Sequence, residues 1–275
     1  MTEAQASPRS ALSRALRAYP TLLRVGFADT VAYRVEFLIW ILTTNMPLVM
    51  LALMRAVARD GPVGRFGPSA FTAYYLAALL VRLLTGCWVG YELNMDIRSG
   101  TLAARLLRPL HPLFAYSAEN LAALPLRGLI TLPLVGVMLW FARGGLTADP
   151  LRVAVFAVSV GGAWLITFLI QACIGALGLH TESSISVAEL YFGLFSVFSG
   201  YLIPLELFPG WVRRITQVLP FRFQLGFPVE TLLGHLSRAE ALRELGTQAA
   251  WCAGLFALLT VIWRTGVRRY QAYGG

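Results

Sequence analysis

Long apolar stretches recur along the chain and are separated by short segments that contain arginine. A membrane-spanning helix needs about 20 mostly apolar residues at a rise of about 1.5 Å each. Six stretches approach this length, so the pattern predicts an all-α membrane protein with one transmembrane domain over residues 1–275. The predicted transmembrane helices cover 37–58, 71–91, 121–141, 153–179, 185–203 and 247–267.

Two segments depart from this pattern. Residues 1–35 carry spaced arginines among leucine, valine and phenylalanine from Arg9 onwards, which predicts an N-terminal amphipathic helix on the cytoplasmic membrane surface. Residues 204–245 are half apolar and contain four prolines between Pro204 and Pro228. They are too interrupted to span and too apolar for a free loop, so we predict an external re-entrant segment between the fifth and sixth helices.

Composition supports the membrane class and excludes others. Apolar residues make up 57% of the chain and charged residues 13%, against roughly 45–50% and about 25% in soluble domains. All 23 basic residues are arginine, and a Walker A phosphate-binding loop requires a lysine. The net charge of +9 comes from arginines beside apolar runs, where they meet anionic lipid headgroups, so we expect membrane lipid and no nucleic acid as a partner.

The arginines divide almost evenly between the two predicted sides of the membrane. With an internal N-terminus, the cytoplasmic segments hold 11 and the external segments 10, so the positive-inside rule barely discriminates. Five arginines precede the first helix and three follow it, which favours an internal N-terminus. Six spans then place both termini in the cytoplasm of a bacterium, with the chain in the inner membrane.

The segment 92–120, after the second predicted span, is a candidate cytoplasmic coupling loop. Gly100 opens a short run that Pro109 closes, because proline ends a helix. The leucines of this run fall on one face, and its arginines form a polar edge. Such a helix suits docking into a groove on a partner, or is an ordinary interfacial helix between two spans. The candidate contact residues are Arg98, Gly100, Thr101, Leu102, Arg105, Leu106, Leu107 and Arg108.

Other side chains provide further candidates. Arg82 would cost about 2.5–3.5 kcal/mol at mid-membrane, so it is expected to contact an anionic substrate or to pair with a carboxylate such as Glu189. Arg127, near the start of the third span, is expected to snorkel to the interface. Aromatic residues near the re-entrant segment form an external gate or an ordinary interfacial belt. The candidate gate residues are Phe198, Tyr201, Phe208 and Trp211.

No metal site and no catalytic site are predicted. The three histidines lie far apart, and the three cysteines lie in apolar stretches without a CxxC pair. Neither an HExxH motif nor a GxSxG motif occurs. The spacing therefore offers no clustered set of nucleophile, base or metal ligands, as an intramembrane enzyme would need.

Two runs carry a family resemblance. The run at 97–112 is IRSGTLAARLLRPLHP, which resembles the coupling-helix segment of ABC-2 type transporter permeases. Its glycine, small residue, leucine pair and Arg-Pro-Leu are similar to the pattern of the DUF990 subgroup. The run at 198–234 is FSGYLIPLELFPGWVRRITQVLPFRFQLGFPVETLLG, which resembles the family's fifth helix and external re-entrant segment. The helix count and spacing are similar over nearly the whole chain.

The resemblance implies the permease subunit of an ATP-binding cassette transporter, an exporter of the ABC-2 type without enzymatic activity or a cofactor of its own. ATP and Mg²⁺ would bind to a separate ATPase subunit docked on the coupling helix. A second permease, identical or similar, would complete the substrate path. Two alternatives remain: a secondary transporter, disfavoured by the scarcity of mid-span carboxylates, and a non-transporting membrane scaffold subunit.

Overall fold

The computed structural model describes residues 8–32, 46–141, 145–181 and 184–270, which are predominantly helical. This confirms the all-α class for the described part of the chain. A 3₁₀ turn at Leu205–Leu207 precedes the tenth helix. The helices are α1 (Pro8–Ala32), α2 (Met46–Val57), α3 (Pro68–Thr85), α4 (Val89–Arg98), α5 (Thr101–Leu106), α6 (Pro112–Ala122), α7 (Leu124–Phe141), α8 (Pro150–Leu177), α9 (Ser184–Phe198), α10 (Gly210–Val218), α11 (Pro220–Gln224), α12 (Gly226–Leu232) and α13 (Arg238–Val267).

Within the described residues, three stretches are long and apolar enough to cross a membrane. They are Pro68–Arg98, which contains α3 and α4, then α8, and then α13. A fourth arises if Pro112–Leu129 and Thr131–Met138, which are bent by 49°, form one span. α2 and α9 are shorter apolar helices. These six units correspond in order to the six predicted spans, although the number of crossings stays a prediction. Residues 37–45 of the first span lie outside the described residues.

Three predicted spans differ in their boundaries from the observed helices. The fifth predicted span ends at Phe198 instead of residue 203. The second predicted span is interrupted between Thr85 and Val89, and its helical structure then continues to Arg98. The sixth predicted span begins at Arg238 instead of residue 247. It starts early because a capping box satisfies its first turn: Ser237 Oγ accepts from the Glu240 amide, and the Glu240 carboxylate accepts from the Ser237 amide.

α8 lies at the centre of the bundle, where it packs against α3, α4, α9, α11, α12 and α13. Small side chains along it, including Ala163, Ala172 and Ala176, are fully buried. A Cβ added at Gly175 would lie 2.9 Å from the Gly90 carbonyl oxygen, so the close contact between α4 and α8 requires glycine there. Small residues at helix contacts are typical of membrane bundles, because they allow backbones to approach.

The length of α8 separates the molecule into two ends. Its 28 residues give about 42 Å at 1.5 Å per residue. Beside its first residue, Asp149 accepts from Arg238 Nε at 2.8 Å, and the Thr147 amide donates to the Leu232 carbonyl at 2.9 Å. The start of α8 therefore lies beside the start of α13.

His180 follows the end of α8. Its Nε2 lies 3.1 Å from Oγ1 of Thr265, near the end of α13. The rings of His111 and Trp263 are 5.1 Å apart, which brings the chain after α5 to this same end. We call this the α5 end and the opposite one the α10 end. Segments at the α5 end are 99–111, 178–181 and 264–270, and those at the α10 end are 58–67, 145–149 and 200–210.

α1 packs on α6 in the structure. The hydroxyls of Tyr19 and Ser117 are 3.1 Å apart, and Gly26 of α1 is buried. Arg17 and Arg24 are seven residues apart and lie exposed on the side of α1 opposite Gly26. One face of α1 thus packs on the protein itself, and its location on a membrane surface stays a prediction.

The segment between α9 and α13 is folded into the protein. Residues 222–231 are all buried, and α11 and α12 pack against α8. Pro220 opens α11, a position where the missing amide hydrogen costs no helical hydrogen bond. The hydroxyls of Tyr74 and Tyr75 donate to carbonyls of the turn after α9, each at 2.7 Å. Entry of this segment into the membrane stays a prediction.

Candidate coupling site

α5 is a separate six-residue helix at one end of the bundle. Gly100 connects it to α4 with a φ of 77°, a left-handed conformation that glycine adopts without steric cost. The chain therefore turns sharply at Gly100. The short helix predicted between Gly100 and Pro109 is present, ending at Leu106.

An arginine clamp holds α5 against its neighbours. Arg105 of α5 pairs with Asp96 of α4 at 2.8 Å and with Glu119 of α6 at 2.9 Å. Its guanidinium lies 4.4 Å from the ring centroid of Tyr116, whose hydroxyl donates to Asp96. Burial alone would lower the pKa of Arg105, but the hydrogen bond and charge of Glu119, with Tyr116 and Asp96, raise it. Arg105 therefore stays positively charged and connects α4, α5 and α6.

The leucines of this region do not form the single face that was predicted. Leu102 is fully buried and anchors α5 in the protein, so it is not accessible to a partner in this arrangement. Leu106 is half-buried. Leu107 is 89% exposed, with Arg98 and Arg108 also exposed. An exposed leucine of this kind gains about 1.5–3 kcal/mol when a partner buries it.

Sequence reasoning missed the partners of Arg105. Tyr116 and Glu119 are three residues apart on α6, and Asn120 follows. Asn120 donates to Glu92 at 3.2 Å and accepts from the Trp88 amide at 3.1 Å. Residues three or four apart lie on one helix face, so this spacing indicated a polar face on α6, although not which helix it meets.

Arg82 lies in the last turn of α3, beside the interruption of the span. Its guanidinium is 5.3 Å from the ring centroid of Phe195, and it interacts with Tyr201. The predicted pair with Glu189 is not among the ion pairs of the described residues. Glu189 is instead exposed on α9.

Arg127 does not snorkel to the membrane interface. Its side chain is 2% exposed, and its Nη1 donates to the Gly86 carbonyl at 2.6 Å. Gly86 follows the last residue of α3, where helix carbonyls lack intrahelical donors. Arg127 therefore stabilises the interruption of the second span, and the expectation from sequence was wrong.

A charged cavity of about 390 Å³ lies at the α10 end. Arg222 in it donates to Glu230 at 2.7 Å and to Glu244 at 2.8 Å. Glu206 pairs with Arg65 and lies 3.2 Å from His235 Nδ1. Burial alone would raise the pKa of Glu206, but His235 and Arg65 lower it below its usual value. Pattern analysis did not identify this network.

The four candidate gate residues differ in exposure. Tyr201 is 4% exposed, with its ring 5.6 Å from that of Phe195. Phe198 stacks on Phe221 at 6.4 Å, and Phe208 is half-buried. Trp211 on α10 is 66% exposed. Tyr201 therefore belongs to the core, whereas Trp211 is at the surface.

The helical fold and its long apolar helices are those of a multi-pass membrane protein. Among the described residues there is no group of three or more side chains suited to hold a metal ion. A family model described as ABC-2 family transporter protein matches residues 68–274, which is 207 of the 275 residues.

The chain belongs to the ABC-2 family of transporter proteins, as the resemblance indicated. It is a membrane permease component of an ABC transporter, and its family implies partnership with an ABC ATPase subunit. No curated protein matches the chain.

Proposed function

We propose that the chain is the permease subunit of an ABC-2 type exporter and that a separate ATPase subunit docks on α5. The observation that carries this proposal is the arrangement of α5: an exposed apolar side chain, Leu107, follows a short helix held by the Arg105 clamp. A rigid helix with an apolar tip suits insertion into a groove of a partner.

The clamp supplies a mechanical path from this contact into the bundle. Arg105 connects α5 to α4 through Asp96, and α4 packs closely on α8 where Gly90 meets Gly175. A displacement of α5 would therefore move the second span against the central helix. ATP and Mg²⁺ bind to the partner in this proposal, and its closure on ATP provides the displacement. A second permease, identical or similar, completes the substrate path.

In the proposed orientation, the α5 end and both termini face the cytoplasm of a bacterium, with the chain in its inner membrane. The segment containing α10, α11 and α12 is then external and re-entrant. α10 has its apolar Trp211 and Ile215 exposed, together with Arg213 and Arg214. Such a helix suits the external membrane interface.

Leu107→Asp tests the docking of the ATPase. Because Leu107 is 89% exposed, the variant should keep the fold. It should lose at least about tenfold in ATP-driven transport, since one buried leucine contributes about 1.5–3 kcal/mol to a contact. The measurement is ATP-dependent transport in vesicles that contain the chain with its copurifying ATPase.

Leu242→Asp is the matched control. Leu242 is 50% exposed and lies near the start of α13, at the α10 end of the molecule. It should leave ATP-driven transport unchanged. Full coupled transport by Leu107→Asp would contradict the proposed docking. Transport driven by an ion gradient without the ATPase would contradict the ABC mechanism itself.

A further inference from the structure

A lateral pocket of about 380 Å³ lies between α4, α8 and α9, apart from the charged cavity. Gln171 of α8 is six residues before the last residue of that helix, so the pocket lies in the half of the bundle nearer the α5 end. Its wall combines aromatic rings, aliphatic side chains and a few polar groups. The polar members are Asn94, Gln171, Ser184 and Glu189, and the aromatic members are Trp88, Tyr91, Tyr191 and Phe192.

The polar groups of this pocket favour a cationic ligand. Glu189 supplies a full negative charge at an exposed position. Asn94 is 5% exposed; its amide nitrogen donates to Ser184, and its Oδ1 is buried without a hydrogen-bond partner. Although the chain has 23 arginines, the described lining residues include no arginine.

The aromatic rings favour the same ligand class. An organic cation is attracted to the faces of Trp, Tyr and Phe rings, and groups of such rings bind quaternary ammonium ions. Tyr91 is 62% exposed and Phe192 51% exposed, so both can contact a ligand that enters from the side of the bundle. An apolar body attached to the cation would bury against Ile174 and Ile185, which also line the pocket.

A helix N-terminus and the arginine Arg82 lie near this pocket. The N-terminus of α9 carries a partial charge of about half an elementary charge, less than the full charge of Glu189. Arg82 lies over the ring of Phe195 and is not a lining residue. Among the described lining residues, Glu189 is the one formally charged side chain, and it is acidic.

We propose that this lateral pocket binds an amphipathic organic cation, an ammonium or phosphonium group on an apolar body, as the substrate class of the transporter. The substrate assignment rests on the proposed export function, whereas binding itself does not. Tyr191 connects the pocket to α11, because its hydroxyl donates to Gln224 Oε1 at 2.6 Å, and Thr167 of α8 donates to the same oxygen at 3.2 Å. A bound cation would thus contact a residue that is hydrogen-bonded to the segment leading to the α10 end.

The test is equilibrium dialysis of tetraphenylphosphonium against the purified full-length chain in nanodiscs of uncharged lipid. Tetraphenylborate, of the same shape and opposite charge, is the matched probe. Binding to empty nanodiscs is subtracted, because the dipole potential of a bilayer favours the anion over the cation. After this subtraction, the wild type should bind tetraphenylphosphonium saturably and tetraphenylborate at least tenfold more weakly. Glu189→Gln should weaken cation binding at least tenfold, and Tyr91→Leu about threefold or more, consistent with cation–π contributions at exposed sites.

Asp60→Asn is the control, since Asp60 is an exposed carboxylate in the loop at the α10 end, and it should leave binding unchanged. Equal binding by Glu189→Gln, with an unchanged thermal unfolding midpoint, would overturn the proposal. Equal protein-dependent binding of both probes would overturn it too, because the pocket would then not discriminate the sign of charge. No ATPase is present in this assay, so a failure of ATP coupling and a failure of cation binding are seen separately.

Discussion

At the scale of single residues, Arg222 shows how this chain tolerates charge in its interior. Its side chain is 8% exposed, and its partners Glu230 and Glu244 are 10% and 16% exposed. A buried pair contributes little net stability, but removal of one partner leaves an uncompensated charge. Arg222 therefore stabilises α11, α12 and α13 mainly by neutralising the two glutamates.

Replacement of Arg222 by methionine should destabilise the protein strongly. Two buried carboxylates would lose their counterion, which costs about 3–5 kcal/mol, and the midpoint of thermal unfolding in detergent should fall. Arg243→Met is the control, because Arg243 is 72% exposed and its loss should shift the midpoint little. Equal midpoints for the two variants would show that Arg222 does not have this role.

At the scale of elements, α5 depends on its neighbours for stability. A six-residue helix is too short to be stable alone in water. α5 is therefore held in place by the buried Leu102 and by Arg105, which forms ion pairs with α4 and α6. A contact surface built on such an element is only as rigid as these attachments.

Arg105→Ala should loosen α5 while leaving the spans folded. Loss of the charge-assisted hydrogen bond to Glu119 and of the ion pair with Asp96 should lower the local opening free energy by about 1.4 kcal/mol or more, so amide exchange in Thr101–Leu106 should rise at least about tenfold. Hydrogen–deuterium exchange on the full chain measures this. Arg108→Ala, at an exposed position, should change nothing; unaltered exchange in Arg105→Ala would argue against the clamp.

At the scale of the whole molecule, the two ends differ in the groups they present. The α5 end has the clamp and an exposed leucine, and the α10 end has the charged cavity and the exposed aromatic ring of Trp211. The two ends are about 42 Å apart along α8. In the proposed orientation they lie on opposite sides of the membrane.

Cysteine labelling should separate the two ends. With a membrane-impermeant maleimide and the chain expressed without its ATPase, Trp211→Cys should be labelled in intact cells, and Leu107→Cys only after the membrane is opened. Both positions are well exposed, whereas native Cys87 and Cys173 are buried and should remain unreactive; Cys252→Ala provides the background. The reverse labelling pattern would invert the proposed topology.

The class of the protein and the order of its apolar stretches were predictable from sequence. Hydropathy, helix length and proline positions are local properties, which can be counted along the chain without knowing any contact. The same reasoning located the short helix between Gly100 and Pro109 and the helix α1. Family membership, supported by a match over residues 68–274, agrees with these local patterns.

Contacts between distant residues were not predictable in this way. Arg105 and Glu119 are 14 residues apart, and Arg127 and Gly86 are 41 apart. Their meeting depends on how α3 to α7 rotate and cross, which no helical period specifies. The same rotation turns Leu102 inward and Leu107 outward, although both belong to one apolar run.

The sequence pattern therefore predicted a multi-pass helical membrane protein with a short helix between Gly100 and Pro109, because apolar length and turn residues are local properties that indicate where a chain can cross and where it bends. The permease assignment came from the family resemblance. Only the tertiary structure showed the lateral pocket and the contacts of the arginines in the bundle, namely Arg82, Arg105, Arg127 and Arg222. A buried arginine must find a nearby carboxylate, carbonyl or ring, and many such groups are available in sequence. Packing around α8 selects which of them lies within reach.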